Sequence, residues 1–453
     1  MSSTSLTFFD HYLNRVFLSL STFWTLVYFR RGLFYSFLSI YLHFYLEMSV
    51  TEATLFGSTG MISSALFQSF LWGKVADMVH NRKRLIVWGE IIAAGGYMLI
   101  WYLHILAYKE IAPIAAGWVI TVGLFGVEAF WSASNVGWSS LISDVTPEDD
   151  RSSLMGRLSA IGGMGRIAGA AAAAIFFSYG GFRGGGFYSG VLFGLSAFVI
   201  VLSAIIIQFC IKDTDLKYRY DQDLGAEVDE GRAILGARKL VIPFDKKFFF
   251  MFIIGLAAIN IGRNAIVLIK NIFLVERFNA PDEIIGALEI LTSVSTVATG
   301  LLTPYMVGRL GDWKLYLLSG LVAIAGLIGF VFSPHLLLSL AMMVCLQFAM
   351  VTVRATTYSI ISKKVPAKVR GRYFGYYNTV FFLSFGLGGT VFAAPIVDIL
   401  QIIGFDVIVA YQFSFTASAL LVVVGLLLTL YLYFQELKKE EEESTIDQLA
   451  EIG

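Results

Sequence analysis

The stretch "EAFWSASNVGWSSLISDVTPEDDRSSLMG", residues 128–156, has a second copy in the same chain. It aligns without a gap with "QFAMVTVRATTYSIISKKVPAKVRGRYFG", residues 347–375, at an offset of 219. Pro147 meets Pro366, Arg151 meets Arg370 and Gly156 meets Gly375. A further match pairs "GKVAD" (73–77) with "GRLGD" (308–312). Repeats this far apart in an apolar chain point to two related halves, arranged in parallel about an axis along the membrane normal.

Working outward, the 453 residues are 57% apolar and only 15% charged, and the mean hydropathy is +0.73. Soluble domains carry roughly 25% charge, so the chain is expected to be an integral membrane protein. Twelve stretches reach the ~20 apolar residues needed to cross a bilayer. They lie near 20–46, 53–76, 84–107, 112–141, 153–178, 187–211, 247–275, 282–307, 314–333, 335–362, 371–396 and 407–435. The expected fold is all-α, with twelve transmembrane helices in two pseudo-symmetric six-helix bundles. Four parts follow: an N-terminal bundle (1–211), a cytoplasmic linker (212–246), a C-terminal bundle (247–435) and an acidic cytoplasmic tail (436–453).

With the N-terminus inside, 24 of the 33 Lys and Arg fall on the inner side, and the outer loops hold Lys109, Arg183 and Arg277. That bias predicts a multi-pass protein of the cell membrane with both termini cytoplasmic. Cys210 and Cys345 lie in apolar runs and suggest no disulfide framework. The five histidines are scattered without metal spacing, and no cofactor is expected. Zero net charge gives no reason to expect nucleic acid. No H-E-x-x-H, G-x-S-x-G or nucleotide-binding loop is present, so no enzymatic activity is expected.

"GKVADMVHNRKR" (73–84) resembles the loop motif G-x-x-x-D-(R/K)-x-G-x-(R/K)-(R/K) of the major facilitator superfamily. Gly73, Asp77, Arg82 and Lys83 match; Met78 and His80 stand where that motif has a basic residue and a glycine. The second copy keeps Gly308 and Asp312, and "SDVTPEDDR" resembles the family's segment between spans four and five. The resemblance covers essentially the whole chain. It implies the major facilitator fold and secondary transport by alternating access, as symporter or antiporter. It implies a gating role for Gly73, Asp77, Arg82, Lys83, Gly308, Asp312, Arg151 and Arg370. Gly156, Gly165 and Gly169 follow the spacing of the family's antiporter motif, but Ala170 replaces its proline. Close helix packing explains those glycines equally well.

Six bases lie deep within spans, away from their inner ends: Arg30, Arg31, Arg166, Arg263, Lys270 and Arg354. The comparably placed acids are Glu90, Glu128 and Glu289. A guanidinium at mid-membrane costs at least roughly 2.5 kcal/mol, so these positions demand a use. Arg31 in span one and Arg263 in span seven lie at similar depth, and the resemblance implies that both spans line a central cavity. On span seven Asn260, Arg263, Val267 and Lys270 recur at helical spacing, with Asn264 beside them. Span ten offers Gln347 and Arg354 at the repeat positions of Glu128 and Asn135, and Trp131 shares a face with Glu128.

The positive excess favours an anion, because a guanidinium fork binds carboxylate or phosphate through two bonds. The expected substrate contacts are therefore Arg31, Arg263, Arg354, Lys270, Asn260, Asn264, Asn135, Tyr35, Trp131 and Gln347. Adjacent Arg30 and Arg31 point about 100° apart, which favours Arg31 and leaves Arg30 to an internal partner. For Arg166, pairing with Glu128, packing between helices and substrate contact all stay open, as does a salt bridge between Lys270 and Glu289. Glu128 is the expected proton-coupling residue, loading and releasing a proton as its surroundings alternate.

The partners so implied are a small anionic substrate, a proton and the lipid bilayer, with the protein a monomer. The charge placement is similar to that of the organic-anion and organophosphate branches of the superfamily. Efflux of amphipathic drugs, transport of neutral solutes such as sugars, and lipid flipping remain alternatives on the same fold.

Overall fold

The computed structural model describes residues 3–78, 82–145, 151–211, 245–365 and 370–452. Most of the linker (212–244) lies outside them, and the side chains of Gly73, Asp77, Arg82, Arg151 and Arg370 are not described. The twelve expected spans are helices. The first runs from Ser3–Tyr35 through Leu38–Ile40 into a π-helical turn, Tyr41–Tyr45. The second is Val50–Phe67, a π-helical turn Gln68–Trp72, and Gly73–Met78. Spans three to six are Arg82–Glu110, Pro113–Val145, Arg151–Phe177 and Val191–Cys210. Spans seven to ten are Lys246–Phe278, Asp282–Leu310, Asp312–Phe332 and Leu336–Lys364. The eleventh is Arg370–Gly386, Leu387–Ala393 (π-helical) and Ala394–Ile402. The twelfth, Val407–Ile452, carries the helix on through the acidic tail.

Ten of these, spans three to twelve, are long and apolar enough to cross a membrane by composition alone. The first is made less apolar by Arg30 and Arg31, and the second by its Ser, Thr and Gly residues between Thr51 and Ser64.

The chain divides into two compact units. Taking only described residues, unit 1 collects Met1–Met48, Thr59–Ile242 and Asp282–Ser293; unit 2 collects Ser49–Ser58, Pro243–Pro281 and Val294–Gly453. The start of span two thus belongs to unit 2, where Asp398 caps it by accepting from the backbone N–H of Val50 (3.1 Å) and Thr51 (2.8 Å). The start of span eight belongs to unit 1, where Asp282 accepts from Arg183 at 2.7 Å and from Ser178 at 2.9 Å.

The duplication reappears in the packing. In unit 1 spans one and five lie backbone against backbone, and a Cβ at Gly169 would strike the carbonyl oxygen of Phe29 and the amide of Leu33. In unit 2 spans seven and eleven do the same, and a Cβ at Gly388 would strike the carbonyl oxygen of Ile261 and the amide of Ala265. Gly169 and Gly388 are 219 residues apart, the offset of the sequence repeat. Their contacts equate Phe29 with Ile261 and Leu33 with Ala265, and hence Arg31 with Arg263.

Candidate functional site

Unit 1 holds a web of aromatic and ionisable side chains at the depth of the arginine pair. The Arg30 side chain, 1% exposed, donates from Nη1 to the Tyr97 hydroxyl at 2.5 Å. The Tyr97 and Tyr35 hydroxyls lie 3.3 Å apart, and Tyr35 donates to Glu128 Oε1 at 3.1 Å. A chain of hydrogen-bonding groups thus runs from Arg30 on span one through Tyr97 on span three to Glu128 on span four.

Trp131 offers its ring to both arginines, with Cζ of Arg30 at 4.7 Å and of Arg31 at 5.1 Å from the centroid. Arg31 also lies 5.5 Å from the Tyr28 ring. Although the two side chains leave the helix at different angles, both meet one indole. Such cation–π contacts are worth up to ~2 kcal/mol when desolvated, which offsets part of the cost of burying the charge.

Glu90 is buried among spans three, four and six, accepting from Ser134 at 2.5 Å and Ser203 at 3.1 Å. Arg166 pairs with Glu289 at 3.3 Å rather than with Glu128, whose hydrogen bond comes from Tyr35. Both Arg166 and Glu289 belong to unit 1. Asn135 is half-buried on span four.

In unit 2 Arg263 is 3% exposed. Its Nε donates to Asn260 Oδ1 at 2.7 Å and its Nη1 to Met350 Sδ at 2.9 Å. Met350 is the repeat position of Trp131, so the same register on spans four and ten supplies the neighbour of the arginine on spans one and seven. Cζ of Arg263 and of Arg354 lie 5.7 Å and 5.8 Å from the Phe381 ring centroid, so two cations share one aromatic ring. Tyr377, which donates to the Arg354 carbonyl at 3.0 Å, braces that helix. Asn260 is fully buried, and its Nδ2 has no hydrogen-bond partner among the described residues. Asn264 is buried beside it, Lys270 donates to Asn271 Oδ1 at 3.0 Å, and Gln347 donates to Thr296 at 2.6 Å.

The electrostatic balance is the main feature. Among the described residues no carboxylate forms an ion pair with Arg30, Arg31, Arg263 or Arg354. Buried cations are ordinarily matched by a carboxylate, since an uncompensated buried charge costs several kcal/mol. Here aromatic faces, a tyrosine hydroxyl, a thioether and an amide hold them.

Of the residues that the loop-motif resemblance marks for gating, Asp312 is buried at the start of span nine and accepts from Ser359 at 2.7 Å and from Lys363, both on span ten. Lys83 donates to the Ile211 carbonyl at 2.8 Å. Gly308 is exposed with open space about its Cα. Tyr97 and Phe381 were not among the residues singled out from the sequence. Neither lies in a polar periodic stripe, so only the arginines they touch mark them.

Arg31 and Arg263, Trp131 and Met350, Glu128 and Gln347, and Asn135 and Arg354 thus sit at matching positions of the two units, on spans one, four, seven and ten. This is the arrangement of a secondary transporter built by duplication. The chain belongs to the major facilitator superfamily, whose model matches residues 20–389. It is accordingly a multi-pass membrane protein that takes a small-molecule substrate through alternating access. No curated protein matches it in sequence.

Its fold is similar to solved transporters. The nucleoside transporter NupG has a TM-score of 0.67 at 16% identity, over 92% of this chain and 98% of that one. A bacterial homologue of the human lysosomal transporter Spinster, inward-facing and occupied, has 0.66 at 17%, over 94% and 98%. A D-xylose–proton symporter has 0.64 at 13%, over 91% and 97%. At these identities the likeness establishes the fold.

Proposed function

We propose that this transporter carries a small organic anion and couples its movement to a proton. The observation that supports this reading is the set of four guanidinium groups without a paired carboxylate among the described residues. Arg31 in unit 1, and Arg263, Arg354 and Lys270 in unit 2, are the proposed anion contacts of their units. Asn260, whose amide nitrogen lacks a partner, Asn264, Asn135, Tyr35, Trp131 and Gln347 supply further contacts. Glu128, at the end of the Arg30–Tyr97–Tyr35 chain, is the proposed proton carrier.

Gating falls to Gly73, Asp77, Arg82, Lys83, Gly308, Asp312, Arg151 and Arg370, as the loop-motif resemblance implies. The distribution of Lys and Arg supports a cell-membrane protein with cytoplasmic termini, and the proposed acting form is a monomer.

The test is the melting temperature of the purified protein against carboxylates, phosphate esters, sugars and cationic drugs. A ligand at 100 times its Kd stabilises the folded state by about 2.7 kcal/mol. Anions should raise the melting temperature. Arg263→Gln should weaken the effective anion by about 100-fold, the order expected for removing a desolvated charge partner. A response to neutral or cationic compounds alone would overturn the anion assignment while leaving the fold untouched.

A further inference from the structure

Away from the arginines, unit 1 carries a groove of about 220 Å³ lined by Trp72, Arg84, Leu85, Trp88, Gly89, Ile92, Phe130 and Ala133. Every lining residue but Arg84 is apolar. The groove opens outward: Trp88 is 62% exposed, Phe130 44% and Ile92 43%. One wall is fixed, because the Trp72 indole donates to the Ala129 carbonyl at 2.6 Å.

Arg84 lies in the first turn of span three, at the membrane-surface end of the groove. Ile92 lies eight residues further on, about 12 Å along the helix. One leaflet contributes about 15 Å of hydrocarbon, half of the ~30 Å core. The groove therefore runs from a cation at headgroup level to an apolar end within a single leaflet. A void there would forfeit contact along its whole lining, and the surrounding solvent is itself hydrocarbon chains. The exposed tryptophan Trp88, four residues past Arg84, suits the interfacial zone just below the headgroups.

We infer that this groove is a binding site for an anionic phospholipid, with one acyl chain between Trp72, Trp88 and Phe130 and the headgroup phosphate against Arg84. The lipid is distinct from the transported substrate, since none of the lining residues is a proposed anion contact. By filling the seam between spans two, three and four, it stabilises unit 1.

The test uses purified full-length protein, with phosphatidylglycerol and phosphatidylcholine of identical chains as probes. Bound lipid is counted by native mass spectrometry and the melting temperature is read alongside. Phosphatidylglycerol should bind about five-fold better, the worth of one basic residue at a membrane surface, and should raise the melting temperature. Arg84→Gln should abolish that preference while leaving both lipids bound equally. Trp88→Ala and Ile92→Trp, one opening the groove and one filling it, should each reduce bound lipid several-fold; lipid-free melting temperatures report whether each variant folds. Equal binding of the two lipids to the parent protein would overturn the inference. So would retention of lipid by both groove variants, or retention of the preference by Arg84→Gln, since the lipid would then lie elsewhere.

Discussion

Arg31 and Arg263 occupy equivalent places in the two units, yet their surroundings have diverged. In unit 1 the partner at the shared register is the Trp131 indole, and the nearby polar web ends on the carboxylate of Glu128. In unit 2 the partner is the Met350 thioether, Glu128 is replaced by Gln347, and Asn135 by Arg354. Duplication has kept the frame that places an arginine while the chemistry around it has changed. Unit 1 has an acid, Glu128, at this position, the proposed proton carrier. Unit 2 has exchanged it for an amide and added a second cation over Phe381. This divergence underlies the proposed division of labour, with proton handling in unit 1 and the denser anion-attracting charge in unit 2.

The frame itself is the first place to break the comparison. Gly169→Leu and Gly388→Leu each drive a side chain into the backbone of the facing helix. Overpacking a core typically costs 1–3 kcal/mol, and a backbone carbonyl yields less readily than a side chain. Both variants should lose most of the folded protein recovered as a single peak on size-exclusion chromatography. Tolerance at one position and collapse at the other would show that the two interfaces are not equivalent, and the matching of Arg31 with Arg263 would lose its structural basis.

Much of this frame is legible in the sequence, for physical reasons. Spanning helices need long apolar runs, so the twelve spans stand out, and the gapless repeat between 128–156 and 347–375 fixes how spans four and ten correspond. The depth of Arg31 and Arg263 follows from counting residues back from the span ends. The partners of those arginines are harder to read. Tyr97 is one aromatic residue in a chain with 21 tyrosines, and its hydroxyl matters only because span three packs it beside Arg30. The convergence of Arg30 and Arg31 on Trp131 is equally hidden. A rule of 100° per residue separates where two side chains start, but long arginine stems can bring their ends back to one ring. Arg166 shows the same limit: its carboxylate partner is Glu289, far away in sequence, where Glu128 is the candidate in its own half.

The next test addresses the exchanged acid. Glu128→Gln makes unit 1 match unit 2 at the repeat position with little change of shape. It should abolish substrate-driven proton uptake by proteoliposomes, and exchange of labelled anion across the membrane should persist. Gln347→Glu should not restore proton uptake in that background, because the Tyr35–Tyr97–Arg30 chain serves position 128. Proton uptake unaffected by Glu128→Gln would remove Glu128 from the coupling role and place proton handling elsewhere.

The smallest expected effect concerns the paired register of Trp131 and Met350. Trp131→Met gives unit 1 the thioether of unit 2 and removes the aromatic face shared by Arg30 and Arg31. A cation–π contact contributes about 0.5–2 kcal/mol, so anion affinity should fall a few-fold, accompanied by a modest loss of thermal stability. Met350→Leu removes only one weak sulfur acceptor from Arg263, which keeps Asn260, and should change affinity by less. Isothermal titration with the anion identified in the melting screen resolves both. If Met350→Leu were the more damaging, the shared register would be a site of ligand contact in unit 2 and of arginine support in unit 1. The two halves would then have divided the task along a different line from the one their carboxylates suggest.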